Sequence, residues 1–362
     1  MNQTSATKKV LIVDDSALMR SLFCAIINSD KRFEVADIAM NGVEALELLK
    51  KKSYDAVVMD VSMPMMDGLQ LLRELRKNKI AARVMVVSSH TYEGAKTTMD
   101  ALTLGALDFL QKPGPKSDKA LFRERFLEIL EVVANGAYPD FNALKETEQM
   151  RKPDEEQNVR TRSDNGSGSK IVAIASSTGG PRALQSVIPY LPKNLDAPVL
   201  LVQHMPKGFT ASLAERLNEL SNVPVKEAIE GEELKKGTVY VAMGGQHLTV
   251  SCSGAGRHVI HYTDEPPREG VKPSANYMYE SLADSKFDHI ICAVMTGMGA
   301  DGTAGIRSLR KAKDTYVIAQ NKETCTVYGM PKSVVSAGLA DTEIPLEQIA
   351  QKITQCTGAR FF

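Results

Sequence analysis

The sequence predicts an α/β protein with two domains in tandem, each built on a mostly parallel sheet flanked by helices. Three observations predict it. Short apolar runs alternate with amphipathic helical segments in both halves of the chain, the pattern of βα units. The 362 residues are enough for two buried cores rather than one. Between the two alternating regions lies a polar stretch ending in ETEQMRKPDEEQNVRTRSDNGSGSK, with almost no large apolar side chain to offset the entropy of ordering it. The expected organisation is a first domain at 8–135, a mobile linker at 136–169 and a second domain at 170–355.

Composition excludes several function classes. Lys plus Arg and Asp plus Glu each number 44, so no charge bias draws the chain to nucleic acid or an anionic membrane. No run of about 18 apolar residues is present to span a bilayer, and MNQTSATKKV has no signal-peptide core. The five cysteines are widely spaced and never form CxxC, as expected of reduced thiols in a cytoplasm. A cytoplasmic protein without membrane insertion, monomeric, is the expectation.

In the first domain Val10–Val13 reads as a strand, followed by a helix with Leu18, Leu22, Phe23 and Ile26 on one face. Phe33–Ala39, Ala56–Met59, Val84–Val87 and Asp108–Gln111 are the later strands. Helices fall at Val43–Leu49, Leu69–Leu75 and near Lys96–Leu104, and a last one buries Phe122, Phe126, Ile129, Leu130 and Val133. In such a sheet, ligands bind at the carboxyl ends of the strands. Those ends carry Asp14-Asp15, Asp60, Ser88 and Lys112-Pro113. Three carboxylates around one crevice repel one another unless a cation neutralises them, and an all-oxygen set suits Mg²⁺. Lys112 and the Ser88 hydroxyl complete a setting for a phosphoryl group on Asp60. Any one of these acids alone is commonly a solvated loop residue; suitable types at four strand ends together are not.

With Met63-Pro64-Met65-Met66-Asp67-Gly68 following Asp60, residues 8–135 resemble a response-regulator receiver domain. The resemblance implies a flavodoxin-like doubly wound fold and phosphoryl transfer to Asp60 from a histidine kinase. It further implies Mg²⁺ held by Asp14, Asp15, Asp60 and the Ser62 carbonyl, and a hydroxyl and aromatic switch pair at Ser88 and Phe109.

The second domain begins with IVAIASSTGGPR at 171–182, a buried strand that turns through small residues into a helix opened by proline. A hydroxyl in that turn would lie beside free N–H groups of the helix N-terminus, which can stabilise an oxyanion. A phosphate cradle or a plain βα connection fits the same residues. Further strands are expected at Pro198–Gln203, Val239–Ala242, Leu248–Ser251, Val259–Tyr262, His289–Met295 and Thr315–Ala319, with a hairpin-like insertion near 238–262. Helices are expected at Pro181–Tyr190, Gly208–Leu220, Ala275–Asp284 and Thr303–Lys311.

Ser177, His204 and Asp301 all fall just past strand ends, where one crevice could gather them. A serine hydroxyl is a poor nucleophile until an imidazole takes its proton, and a carboxylate on the other ring nitrogen fixes the tautomer. Thr178, Gly179 and Met298 would supply the N–H groups facing the reacting carbonyl. His247 is the strongest rival histidine, since it also follows a strand, whereas His258 and His261 sit in the expected hairpin. No histidine pair has H-x-x-x-H spacing and no cysteine is near, which argues against zinc. Asp301 alone could simply cap the helix after it. The order Ser, His, Asp differs from the Ser, acid, His order of α/β-hydrolases.

Ser177-Thr178-Gly179-Gly180-Pro181, Gln203-His204-Met205-Pro206, Pro273-Ser274-Ala275, the segment 296–302 and Tyr328-Gly329-Met330-Pro331 make residues 170–355 resemble the catalytic domain of the chemotaxis protein-glutamate methylesterases. The resemblance implies Ser177 as nucleophile, His204 as base and then acid, and Asp301 as the orienting carboxylate, with no cofactor. Its substrates would be γ-glutamyl methyl esters, and glutamines, of methyl-accepting chemotaxis receptors, with a chemotaxis histidine kinase as phosphodonor. Ala175-Ser176 stands where that family usually has Gly-Ala, which raises the question of which serine attacks; Ser177 is chosen because Thr178-Gly179-Gly180 follow it directly. Two other outputs fit less well. A DNA-binding module would need a basic recognition helix, and a dinucleotide site would need G-x-G-x-x-G.

Overall fold

Parallel strands covered on both faces read as unbroken apolar runs, and the central strands of the two parallel sheets of this protein are such runs. The structure, a computed structural model, describes residues 7–89, 91–114, 118–136, 168–253 and 257–358. The chain divides into two units, Met1–Gln149 and Met150–Phe362. The expected linker lies almost wholly outside the described residues, as do the last four residues of the C-terminal tail.

The first unit runs β1 (Lys8–Val13), α1 (Ala17–Asn28), β2 (Phe33–Ala39), α2 (Gly42–Lys51), β3 (Ala56–Asp60), α3 (Gly68–Lys77), β4 (Val84–Ser88), α4 (Tyr92–Thr103), β5 (Asp108–Gln111) and α5 (Lys119–Asn135). Ser16, Asn41, Asp67, Thr91 and Asp118 cap the five helices, each accepting from a first-turn N–H. The strands pair in parallel in the order β2-β1-β3-β4-β5. That order reverses direction between β1 and β3, so the ends of those two strands border the crevice where such sheets bind ligands. Beneath the sheet Phe23 stacks on Phe126 with ring centroids 5.2 Å apart.

The second unit opens with β6 (Lys170–Ser176), every residue of which is buried. It continues with α6 (Gly180–Gln185), β7 (Val199–Gln203), α7 (Phe209–Leu220), β8 (Val225–Glu227), β9 (Val239–Val241), β10 (His247–Cys252), β11 (His258–Thr263), α8 (Ala275–Ser281), β12 (His289–Val294), α9 (Thr303–Leu309), β13 (Asp314–Gln320), α10 (Met330–Ser336), β14 (Thr342–Ile344) and α11 (Leu346–Thr357). Seven strands form a parallel sheet in the order β14-β13-β12-β6-β7-β9-β8. β10 and β11 pair antiparallel as a separate ribbon.

Two expectations need correction. β9 is no part of a hairpin: it pairs in parallel with β7 and β8, because Val239, Tyr240 and Val241 are apolar on both faces and all fully buried. The helix expected over Pro181–Tyr190 stops at Gln185, and a separate 3₁₀ turn covers Ile188–Tyr190. Pro189 has no N–H to donate to Gln185, and its ring would clash with that carbonyl.

Candidate active site

β6 and β7 run side by side with Ser176 opposite Gln203, so Ser177 and His204 leave the sheet from matched positions. The His204 N–H donates to the Ser176 carbonyl at 3.1 Å. Ser177 enters a tight turn in which its own N–H donates to the Thr296 carbonyl at 3.0 Å and its carbonyl accepts from the Gly180 N–H at 2.7 Å. Gly179, at φ 74°, leads into α6. Ser177, Thr178 and Gly179 are all buried.

Asp301 comes from the loop between β12, the other neighbour of β6, and α9. Its Oδ2 accepts from His204 Nε2 at 2.7 Å and from the Ala275 N–H at 2.6 Å. Its Oδ1 accepts from Ser274 Oγ at 2.6 Å and the Asn276 N–H at 3.1 Å. Burial alone would push this carboxyl up, but the hydrogen bonds from His204, Ser274 and Ala275 outweigh it and hold Asp301 below the usual aspartate range. The carboxylate therefore does cap a helix, but α8 rather than the α9 that follows it, whose N-cap is Gly302 and which has no side-chain cap.

An ionised carboxylate only accepts, so His204 Nε2 carries the proton and Nδ1 is the basic nitrogen. Nδ1 is buried and has no hydrogen-bond partner among the described residues. Ser177 Oγ is thus not bonded to it: the structure brings His204 and Asp301 into contact and sets Ser177 on the adjacent strand end, with the serine–imidazole contact unmade. Such contacts are often loose in a protein without substrate.

Across the crevice, the segment after β12 is laced to the Ser177 turn. Thr296 Oγ1 donates to the Thr178 carbonyl at 3.0 Å, and the Gly297 carbonyl accepts from the Met330 N–H at 2.8 Å. Met298, next in the chain, is half-buried on this rim.

The rival histidine has another task. His247 Nδ1 accepts from the Ser274 N–H at 3.0 Å, and its Nε2 donates to the Pro266 carbonyl at 3.1 Å. Burial pushes its pKa down, which keeps it neutral for that pairing. It braces the turn that presents Ser274 and Ala275 to Asp301. Among the other histidines, His258 stacks on Phe287 and His261 pairs with Glu230; His90 lies outside the described residues. Sequence reasoning missed the parts of Gln203, Asn276 and Ser274. The available signals were the adjacency of Gln203 to His204 and the Ser-Ala-Asn opening of α8.

In the first unit the strand ends also converge. Lys112 Nζ lies 2.7 Å from Asp60 Oδ2 and 2.9 Å from Asp14 Oδ2. Asp14, Asp15 and Asp60 each offer an oxygen within 4.8 Å of the others. Asp60 Oδ1 accepts from the Val61 N–H at 2.8 Å and the Ser62 N–H at 3.4 Å. Ser88 Oγ donates to the Gly94 carbonyl at 3.0 Å, and Phe109 is buried on β5. Burial raises the Asp60 pKa, Lys112 pulls it back and Asp14 adds to the rise, leaving it above the usual value. Burial would lower Lys112, but Asp60 and Asp14 more than reverse that. Asp14 is fully buried, and its Oδ2 faces the Lys112 ammonium. A hard divalent cation fits that oxygen set.

Comparison with known proteins covers both units. Residues 172–353 match the CheB methylesterase family, and residues 10–121 match the response regulator receiver domain. The chain is 41% identical to a protein-glutamate methylesterase/protein-glutamine glutaminase of Syntrophomonas wolfei, over 96% of this chain and 98% of that one. It is 40% identical to the protein of the same name from Bacillus subtilis, over 96% and 98%, and to that of Pyrococcus abyssi, over 98% and 95%. Among solved structures, the CheB methylesterase catalytic domain of Thermotoga maritima is similar at a TM-score of 0.50 and 44% identity, covering 51% of this chain and 97% of that domain.

Proposed function

Because the chain belongs to the CheB methylesterase family and carries a response regulator receiver domain ahead of that region, we propose that it is a phosphorylation-regulated protein-glutamate methylesterase and protein-glutamine glutaminase of chemotaxis adaptation. The observation that supports this most directly is the buried His204–Asp301 pair at the strand ends beside Ser177. Its substrates are γ-glutamyl methyl esters and glutamines of methyl-accepting chemotaxis receptors, met in the cytoplasm. Among the described residues no helix is long and apolar enough to cross a membrane.

Ser177 Oγ attacks the ester carbonyl while His204 Nδ1 takes its proton. The tetrahedral oxyanion is held by N–H groups of Thr178, Gly179 and Met298. As the intermediate collapses, His204 returns the proton to the departing methoxide and methanol leaves. Water, deprotonated by the same nitrogen, then cleaves the acyl-enzyme to glutamate. A glutamine follows the same path with ammonia leaving. Asp301 holds the tautomer and stabilises the imidazolium that forms at each step.

Asp60 is the phosphoacceptor. Asp14, Asp15, Asp60 and the Ser62 carbonyl would hold Mg²⁺, which neutralises charge on the phosphoryl group and its acceptor. Lys112 and the Ser88 hydroxyl pair with the phosphoryl oxygens, and the Phe109 ring follows the shift of Ser88. The phosphodonor is a chemotaxis histidine kinase.

Methanol release from methylated receptor tests the reading. Ser177→Ala is expected to abolish it, a loss of about 10³-fold or more, whereas Ser176→Ala removes no reacting atom and loses no more than about 10-fold. The opposite pattern would move the nucleophile to Ser176.

A further inference from the structure

Gln203 has no part in the mechanism above, yet it occupies the junction between nucleophile and base. It is 2% exposed at the end of β7, and its amide is fully engaged. Nε2 donates to the Ser177 carbonyl at 2.9 Å and lies 3.3 Å from the His204 carbonyl. Oε1 accepts from Ser176 Oγ at 2.7 Å. Two carbonyls can only accept, so the NH₂ end must face them and the amide has one possible orientation. The fit around it is close: a β-carbon at Gly180 would lie 2.0 Å from Gln203 Oε1, so a side chain there would push the amide from its place.

The consequence runs through one peptide plane. The Ser177 carbonyl and the Thr178 N–H belong to the same planar trans unit and point in opposite directions. The Gly180 N–H, at 2.7 Å, holds that carbonyl from within the turn. A single hydrogen bond leaves the plane free to rock; a second donor from the neighbouring strand stops it. We propose that Gln203 is a positioning residue for oxyanion stabilisation, fixing the Ser177–Thr178 peptide so that the Thr178 N–H is aimed at the developing negative charge. This rests on Ser177 being the nucleophile. It also gives Ser176 a role: its hydroxyl is spent anchoring the Gln203 amide.

The test uses full-length protein carrying Gln203→Met, which keeps the shape and removes the donor. Methyl-ester hydrolysis is measured beside the affinity for a peptidyl trifluoromethyl ketone, which adds the active serine to form a tetrahedral oxyanion. Expected are a fall in kcat of about 10- to 100-fold, a KM within about twofold of the parent, and ketone affinity weakened by the same factor as kcat. Thermal unfolding checks that the variant is folded. Should it not fold, Gln203→Glu preserves the acceptor for Ser176, sets a carboxylate against the two carbonyls, and carries the same expectations. A folded variant with parental kcat, or one whose kcat falls while ketone affinity stays, overturns the proposal. An active Ser177→Ala protein would sink the nucleophile assignment instead, whereas an inactive one beside an unimpaired Gln203→Met sinks only this inference.

Discussion

The Asp301 carboxylate gathers four donors from three places: the His204 ring, the Ser274 hydroxyl and two N–H groups at the start of α8. Those donors hold its pKa below the ordinary value of 3.8 against the opposing effect of burial. A depressed acid stabilises the folded state above its unfolded pKa and loses that contribution as pH falls through the folded one. Asp301→Asn is therefore expected to lower stability at neutral pH by about 1–3 kcal/mol. The gap to the parent should narrow below pH 3.8, and pH-dependent urea unfolding measures it. The same variant lets His204 take the wrong tautomer, so methanol release should drop by about 10³- to 10⁴-fold. At this scale His204 and Asp301 were legible because strand ends are where a parallel sheet gathers its chemistry. The role of Gln203 was not: an uncharged amide leaves no pattern, and its value lies in a carbonyl it touches on another strand.

Turns after β6 and β12 approach so closely that Gly297 is a structural necessity. A β-carbon on Gly297 would lie 2.4 Å from Met330 Sδ, 2.8 Å from Ser177 Cβ and 3.1 Å from Ser177 N. The thioether can swing aside, but the Ser177 backbone cannot move without dragging the nucleophile. Gly297→Ala is expected to cost about 1–3 kcal/mol of stability and to depress turnover well beyond what that loss explains. Thermal unfolding and kcat on one preparation separate the two effects. Long buried strands such as β3 and β6 were readable as apolar runs within a residue of their ends. The missed strands, β8 (VKE) and β14 (TEI), are three residues long, polar at two positions of the three and at the two edges of the sheet. Only their pairing makes them strands. β9 was misassigned for a related reason, since periodicity over three residues does not reveal a partner.

At the scale of the whole molecule, a response regulator receiver domain precedes a CheB methylesterase domain in the chain. A small phosphodonor with Mg²⁺ should raise methanol release by the parent protein. Asp60→Ala should remove that rise, and so should chelating the metal; a variant still stimulated by phosphodonor would displace Asp60 as acceptor. The division into two units was readable because the alternation of apolar strands and amphipathic helices stops and then restarts along the chain.

In the larger sheet β6 is made first and ends up central, flanked by β7 on one side and β12 on the other. A growing chain on the ribosome can seat β7 almost at once, setting Ser177 beside His204, but β6 then keeps a bare edge until the distant β12 arrives. The strand that seals that edge is also the one whose loop delivers Asp301. Synthesis thus runs ahead of assembly: a half-made sheet holds Ser177 and His204 at neighbouring strand ends, and the carboxylate that hydrogen-bonds the imidazole arrives only when β12 closes the edge.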